Sequence, residues 1–216
     1  MKGAFIEFTS IASLSAPNLV VFQFNPETLK HAWTQPKPAV GSNPLAVQSL
    51  PGESFSFTLA LDATDAQAGT DVVAAADAEL NGVSSRLAAL EMLMFPVSTD
   101  NTLVDPSSGA GERRGVPAAQ VPTVLFFWGP SRIVPVRVLS ITVTEKLFDT
   151  TLHPTHADVA VEVRVLTPSE IKACTKPLKT IADAAYKYTQ HLRVIHALAN
   201  LNNAVGSIEL PTDLGI

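Results

Sequence analysis

Residues 53–61 read ESFSFTLAL and alternate strictly. Phe55, Phe57, Leu59 and Leu61 share one face, and Ser54, Ser56, Thr58 and Ala60 share the other. A period of two sends successive side chains to opposite sides of a pleated chain. This stretch is therefore a strand with one face in a core and one face out of it.

Working outward from it, residues 2–8 (KGAFIEF) and 19–24 (LVVFQF) read as strands, the second closed by the turn pair Asn25-Pro26. Residues 27–35 continue as a strand around Trp33, and 36–52 form a loop rich in Pro, Gly, Ser and Asn. Downstream, residues 122–128, 132–147 and 158–166 are strands, the last two joined as a hairpin through the turn 149–157 (DTTLHPTHA). Along 132–147 the pattern puts Val134, Val136, Val138, Ser140, Thr142 and Thr144 on one face. Ile133, Arg137, Leu139, Ile141, Val143 and Glu145 fall on or near the other. Between the two groups of strands, 71–80 and 83–95 are helical, with Val83, Leu87, Leu90 and Met94 at helix spacing and Pro96 as the stop. Residues 97–121 show no periodicity, and a loop of that length is functional or disordered. Thr167-Pro168 closes the sheet region, and 178–202 is helical. The expected architecture is α+β: a mainly antiparallel β-barrel or sandwich over 1–168 with an inserted helix, then a small helical module over 169–216. Strands this long leave edges that must be closed or paired.

Composition bears on what such a fold is for. The chain has 216 residues, 46% hydrophobic and only 16% charged, where about 25% charged is usual. Mean hydropathy is positive, +0.23. No run approaches the ~20 apolar residues that span a bilayer, and Glu7 interrupts the leader-like start MKGAFIEFTS. We expect a chain made and kept in the cytoplasm, with no membrane span, that buries much of its surface against other chains. A net charge of −5 disfavours nucleic acid. The single cysteine, Cys174, excludes an intramolecular disulfide and a thiolate zinc cage.

The candidate chemistry is sparse. His153 and His156 (H-P-T-H) have the spacing to share a metal but lack an indicated third ligand, so they read as a solvated turn. Cys174 with His191 or His196 would be a nucleophile–base pair, and Asp62 with Asp65 an acid–base pair. The simpler readings are an inert cysteine and a turn that starts a helix. GAGERRG at 109–115 lacks the GK[ST] ending of a phosphate loop; Arg113 and Arg114 read as solvated or as contacts to a neighbour. No catalytic, cofactor or metal site is assigned, and the chain is not expected to be an enzyme.

Several stretches, in order, resemble one family. LVVFQFNP at 19–26 runs on through Glu27-Thr28-Leu29. FTLALDAT and AGTDVVAAADAEL follow, then PTVLFFWG at 122–129 and DVAVEVRVL at 158–166. Over about residues 1–168 this resembles the N-terminal domain of tube-type baseplate proteins of contractile, phage-tail-like injection systems. The sequence departs from that family at the last hairpin turn, LHPTHAD, and in the length of 97–121. The tail resembles a lysin motif, a small βααβ module: Ile181, Ala182, Tyr186, Arg193, Ile195, Asn200, Gly206 and Pro211 match in order. Its opening KPLKT lacks the usual Gly-Asp turn, so structural docking is favoured over glycan binding.

These resemblances imply a structural protein that forms a homomeric ring, a hexamer by family analogy. It would join an inner-tube protein to a spike or hub protein and contact baseplate wedge or sheath proteins outside. Assembly would occur in the cytoplasm, into a particle that is retained or released. The alternatives are a stacking inner-tube subunit and a peptidoglycan-binding module.

Overall fold

The computed structural model describes residues 1–8, 18–37, 43, 45, 49–68, 72–95, 122–174 and 178–205. Among the described residues there are seven strands: β1 (Ala4–Phe8), β2 (Asn18–Val21), β3 (Leu29–Thr34), β4 (Gly52–Asp62), β5 (Thr123–Phe127), β6 (Ile133–Phe148) and β7 (Pro154–Val165). They form one sheet in the order β2-β1-β5-β6-β7-β4-β3, and every pairing is antiparallel. The described helices are α1 (Ala63–Gln67), α2 (Val72–Asn81), α3 (Ser84–Glu91), α4 (Pro168–Ala173) and α5 (Leu178–Val205). The α+β class with an antiparallel sheet and inserted helices is as the sequence predicts. The long loop at 97–121, with Arg113 and Arg114, lies outside the described residues.

The sheet is strongly curled. β1 and β4 stand four strand spacings apart in the order, roughly 19 Å in a flat sheet. Yet the rings of Phe5 on β1 and Phe57 on β4 are 6.1 Å apart. Phe22, Phe55 and Phe126 close the same cluster, with centroids 5.2–5.6 Å from their neighbours. Trp128 has ring contacts with Phe22, Phe57 and Phe126. Phe55, Phe57, Leu59 and Leu61 are all buried, as the alternation requires, and Val159, Val161, Val163 and Val165 of β7 face them.

Three details differ from the sequence reading, each for a local reason. First, the face of β6 is not continuous. Val134, Val136 and Val138 are buried, but a bulge between Val138 and Ser140 inserts one residue, Leu139. An extra residue inverts the phase of everything beyond it. Ile141 and Val143 then turn to the core while Ser140, Thr142 and Thr144 are exposed. Second, α3 ends in a 3-10 turn, Met92–Met94, which advances fewer residues per turn. Leu93 takes the buried place after Leu90, and Met94 is left exposed. Third, the tail is not two short helices of a βααβ module. Residues 178–205 form one continuous 28-residue helix, and the sequence between Pro177 and Gly206 contains neither residue type that would break it.

Gly82 joins α2 to α3 with φ +60, and a Cβ there would sit 2.2 Å from the Pro154 carbonyl oxygen. Val83 donates its N–H to that same oxygen at 2.9 Å. Only a residue without a side chain lets the helical insertion seat on the start of β7.

Candidate functional site

The surfaces that stand out are the sheet's two ends, its outward face, and the attachment of α5. The sheet ends at β2 and β3, each with a strand neighbour on one side among the described residues. Leu19 and Val21 on β2 and Trp33 on β3 are exposed. Between β2 and the upper part of β4 runs a groove of about 400 Å³, lined by Leu19, Val21, Leu59, Leu61, Arg86 and Leu90.

The segment after β2 contributes Phe22 and Gln23 to the lining of that groove. Gln23 is buried, and its side-chain amide acts as a strand would: Nε2 donates to the Asp62 carbonyl at 2.7 Å, and Oε1 accepts the Asp62 N–H at 2.9 Å. Nε2 also donates to Asp65 Oδ2 at 2.9 Å. Asn25 ties the same segment to the residues just before β1, accepting the Gly3 N–H at 2.9 Å and donating to the Met1 carbonyl at 3.0 Å. The polar residues of FQFNP are thus seam fasteners.

Asp62 and Asp65, considered as an acid–base pair, are both engaged with Gln23 at the end of β4. Burial alone would raise the Asp62 pKa. The hydrogen bonds from Thr64 and the His156 charge outweigh it and hold the carboxyl below its ordinary value. His153 and His156 serve different carboxylates: His156 Nε2 is 3.1 Å from Asp62, and His153 Nδ1 is 3.5 Å from Asp149. Among the described residues no group of three or more such side chains is placed to hold a metal ion. Cys174 Sγ lies 3.7 Å from the Glu170 carbonyl and 3.9 Å from the Thr123 hydroxyl, while His191 and His196 are exposed on α5.

The outward face of β4, β7 and β6 is small and polar in register. Ser56, Glu162 and Ser140 form one cross-strand row; Thr58, Ala160 and Thr142 form the next; Ala60, Asp158 and Thr144 follow. Asp158 pairs with Lys146, so acidic and basic groups are interspersed rather than segregated.

The attachment of α5 centres on Glu53. Its position in β4 has the phase of the buried Phe55 and Phe57, and the side chain is only 5% exposed. An ionised carboxylate at such depth is tolerated only with partners. Oε1 accepts from Arg193 Nη2 of α5 at 2.9 Å and lies 2.8 Å from His31 Nε2 of β3. The Arg193 guanidinium also sits 4.4 Å above the Trp33 ring, a cation–π geometry. The His31 ring stacks on Phe55 at 4.4 Å. Arg132 stands 5.1 Å over the other aromatic contact of that cluster, Phe55; burial lowers its pKa, partly countered by the Glu53 charge. Burial, followed by the same Glu53 charge, raises the Tyr186 phenol above its ordinary value. Nearby, the buried Thr189 hydroxyl donates to the Ile133 carbonyl at 2.7 Å and accepts its N–H at 3.2 Å, and Tyr188 donates to the Pro130 carbonyl at 2.9 Å.

Sequence reasoning missed this cluster, although one signal was present: Glu53 occupies an inward position of an otherwise apolar alternation. No protein-family model and no curated protein matches the chain. Among the described residues no helix is long and apolar enough to cross a membrane.

Proposed function

We propose that the chain is a non-enzymatic structural subunit that assembles into a ring, the tube-type baseplate component its sequence resembles. In that reading it forms a hexamer, joins an inner tube to a spike hub, and turns its C-terminal region toward wedge or sheath proteins. The supporting observation is a curled sheet whose order ends in two strands, β2 and β3, with exposed apolar side chains. A sheet edge of this kind, with one strand neighbour among the described residues, invites pairing with another chain, and joining unlike edges is a head-to-tail contact that gives a ring when its rotation closes and an open filament when it does not. The small, mixed-charge outward face suits a wetted wall, and the low charged content suits burial of the remaining faces.

The test is sedimentation and negative-stain imaging of the full chain and of a Leu19→Lys/Val21→Lys variant. Both positions are exposed, so the variant should melt as the parent does while losing rings. A parent chain that stays monomeric at micromolar concentration overturns the reading. Uniform stacked tubes without any partner would favour the inner-tube subunit instead.

A further inference from the structure

We propose that Arg132 and Arg193, beside the exposed indole of Trp33, form a docking site for an acidic segment of a partner protein. The two guanidiniums take a carboxylate, and the indole takes an apolar side chain next to it. The ring reading above supplies such a partner, since it turns the C-terminal region toward wedge or sheath proteins, but the site stands without it.

The charges around Glu53 do not balance. One buried carboxylate serves two guanidiniums and an imidazole. Arg193 Nη2 and His31 Nε2 converge on the same oxygen, Oε1, at 2.9 and 2.8 Å. The Glu53 charge also acts on Arg132. Arg193 places its other terminal nitrogen on Gln190 Oε1 at 2.9 Å. Arg132 has less. Among the described residues its guanidinium has the Phe55 ring beneath it at 5.1 Å and no hydrogen-bond or ion-pair partner. Burial lowers its pKa, the Glu53 charge opposes that, and the Arg193 charge adds to it. A half-buried cation with all its donors free is a group that gains from a second anion.

Both cations are held on fixed backbone. Arg132 closes the turn before β6: its carbonyl accepts the Trp128 N–H at 2.9 Å, and its N–H donates to the Gly129 carbonyl at 3.3 Å. Tyr188 of α5 donates to the Pro130 carbonyl in the same turn at 2.9 Å, so turn and helix present their arginines together. Trp33 stays 46% exposed although the Arg193 guanidinium lies 4.4 Å from its ring centre. An indole this open beside two cations matches a carboxylate with an apolar neighbour, which is a feature of a protein segment. A guanidinium offers a planar fork that a carboxylate fills with two hydrogen bonds. Nucleic acid matches poorly, because the chain carries a net charge of −5.

The experiment gives the full chain a fluorescein-labelled peptide of alternating Glu and Leu, or the same peptide with Gln for Glu, and reads anisotropy. The parent should bind the Glu peptide at least about tenfold more tightly than the Gln peptide, and Arg132→Gln should lose a similar factor. Arg137→Gln, which removes an exposed charge elsewhere on β6, should bind as the parent does. Phenylglyoxal labelling mapped by mass spectrometry needs no variant. The Glu peptide should shield Arg132 and leave Arg137 reactive. Should Arg132→Gln lose its fold, the labelling decides alone. A parent without preference for the Glu peptide overturns the proposal. So does equal binding by parent and Arg132→Gln, or a bound peptide that leaves Arg132 unshielded. Inorganic phosphate that displaces the peptide at equal concentration also overturns it, by assigning the site to a free anion. A parent that stays monomeric and binds the Glu peptide sinks the ring and keeps this site. Rings that ignore the peptide sink this site alone.

Discussion

The curled sheet and helix α5 are held by opposite kinds of force. Inside the sheet, Phe5, Phe22, Phe55, Phe57 and Phe126 all touch more than one other ring, and the valines of β6 and β7 complete the wall. That attraction is non-directional and shared among many contacts. The helix is fastened by a few directional bonds, of which the Arg193–Glu53 pair reaches furthest across the chain. The sheet should yield gradually to substitution, in proportion to the area lost. The helix should yield at single points.

The largest effect should come from the sheet interior. Phe126 is fully buried and meets Phe5, Phe22, Phe55, Phe57 and Trp128. Phe126→Ala should cost ~3–5 kcal/mol in a denaturant titration, and a loss below ~1 kcal/mol would break the contrast. Gly82→Ala comes next, about 2–4 kcal/mol, because a left-handed backbone and a crowded Pro154 carbonyl act together. Its signature is loosening of the α2–α3 insertion, read as faster amide exchange there than in β5 or β6.

The helix side is tested by Arg193→Met, which keeps much of the stem volume and removes the guanidinium. The lost charge-assisted bond is worth about 1.5–3 kcal/mol when well formed, and partial exposure of Arg193 places the expected loss at the lower end. More telling than the magnitude is where it falls. Amide exchange should rise in α5 and the Trp33 fluorescence should shift, while the β-sheet signal holds. Arg193→Lys should not restore the parent spectrum, because a lysine lacks the planar group that lies over the indole. Simultaneous loss of sheet and helix would show that the latch supports the whole molecule.

What was legible in the sequence follows the same division. Strand β4 and the hydrophobic stripe Val83, Leu87, Leu90 were readable because periodicity records burial directly. The bulge at Leu139 was not, since an inserted residue leaves the local composition unchanged and alters only the phase downstream. The polar fasteners were hidden for a different reason. Gln23 and Arg193 act on partners 39 and 140 residues away, and no local pattern marks such a pairing. Glu53 was visible as a charge in an apolar phase, but its partners were not. The single helix over 178–205 was masked by a motif resemblance that suggested a turn where no breaker stands.

The smallest effect concerns the joint between the two regions. Arg164 of β7 donates to both carboxylate oxygens of Glu170 in α4, at 3.0 and 2.6 Å. Glu170 also accepts the Thr167 N–H at 2.8 Å, completing a capping box at the start of that helix. The Arg164 side chain, with Thr167, holds the Glu170 carboxyl at about 2 against an ordinary 4.5. A depressed carboxylate adds stability that is fully present above its unfolded value and is lost as pH falls through the folded one. The joint should therefore hold at neutral pH and weaken between the ordinary value and about 2. Both side chains are about one-third exposed, so solvent screens the pair and the change should be modest. Comparing melting midpoints of the parent and Glu170→Gln from neutral to acid isolates it. The parent should lose more stability across that window than the variant, and the two curves should converge at its acid end. Parallel curves throughout would mean that the carboxylate is not what fixes α4, leaving the chain turn at Pro168 and the buried Ile171 to set the direction in which α5 departs.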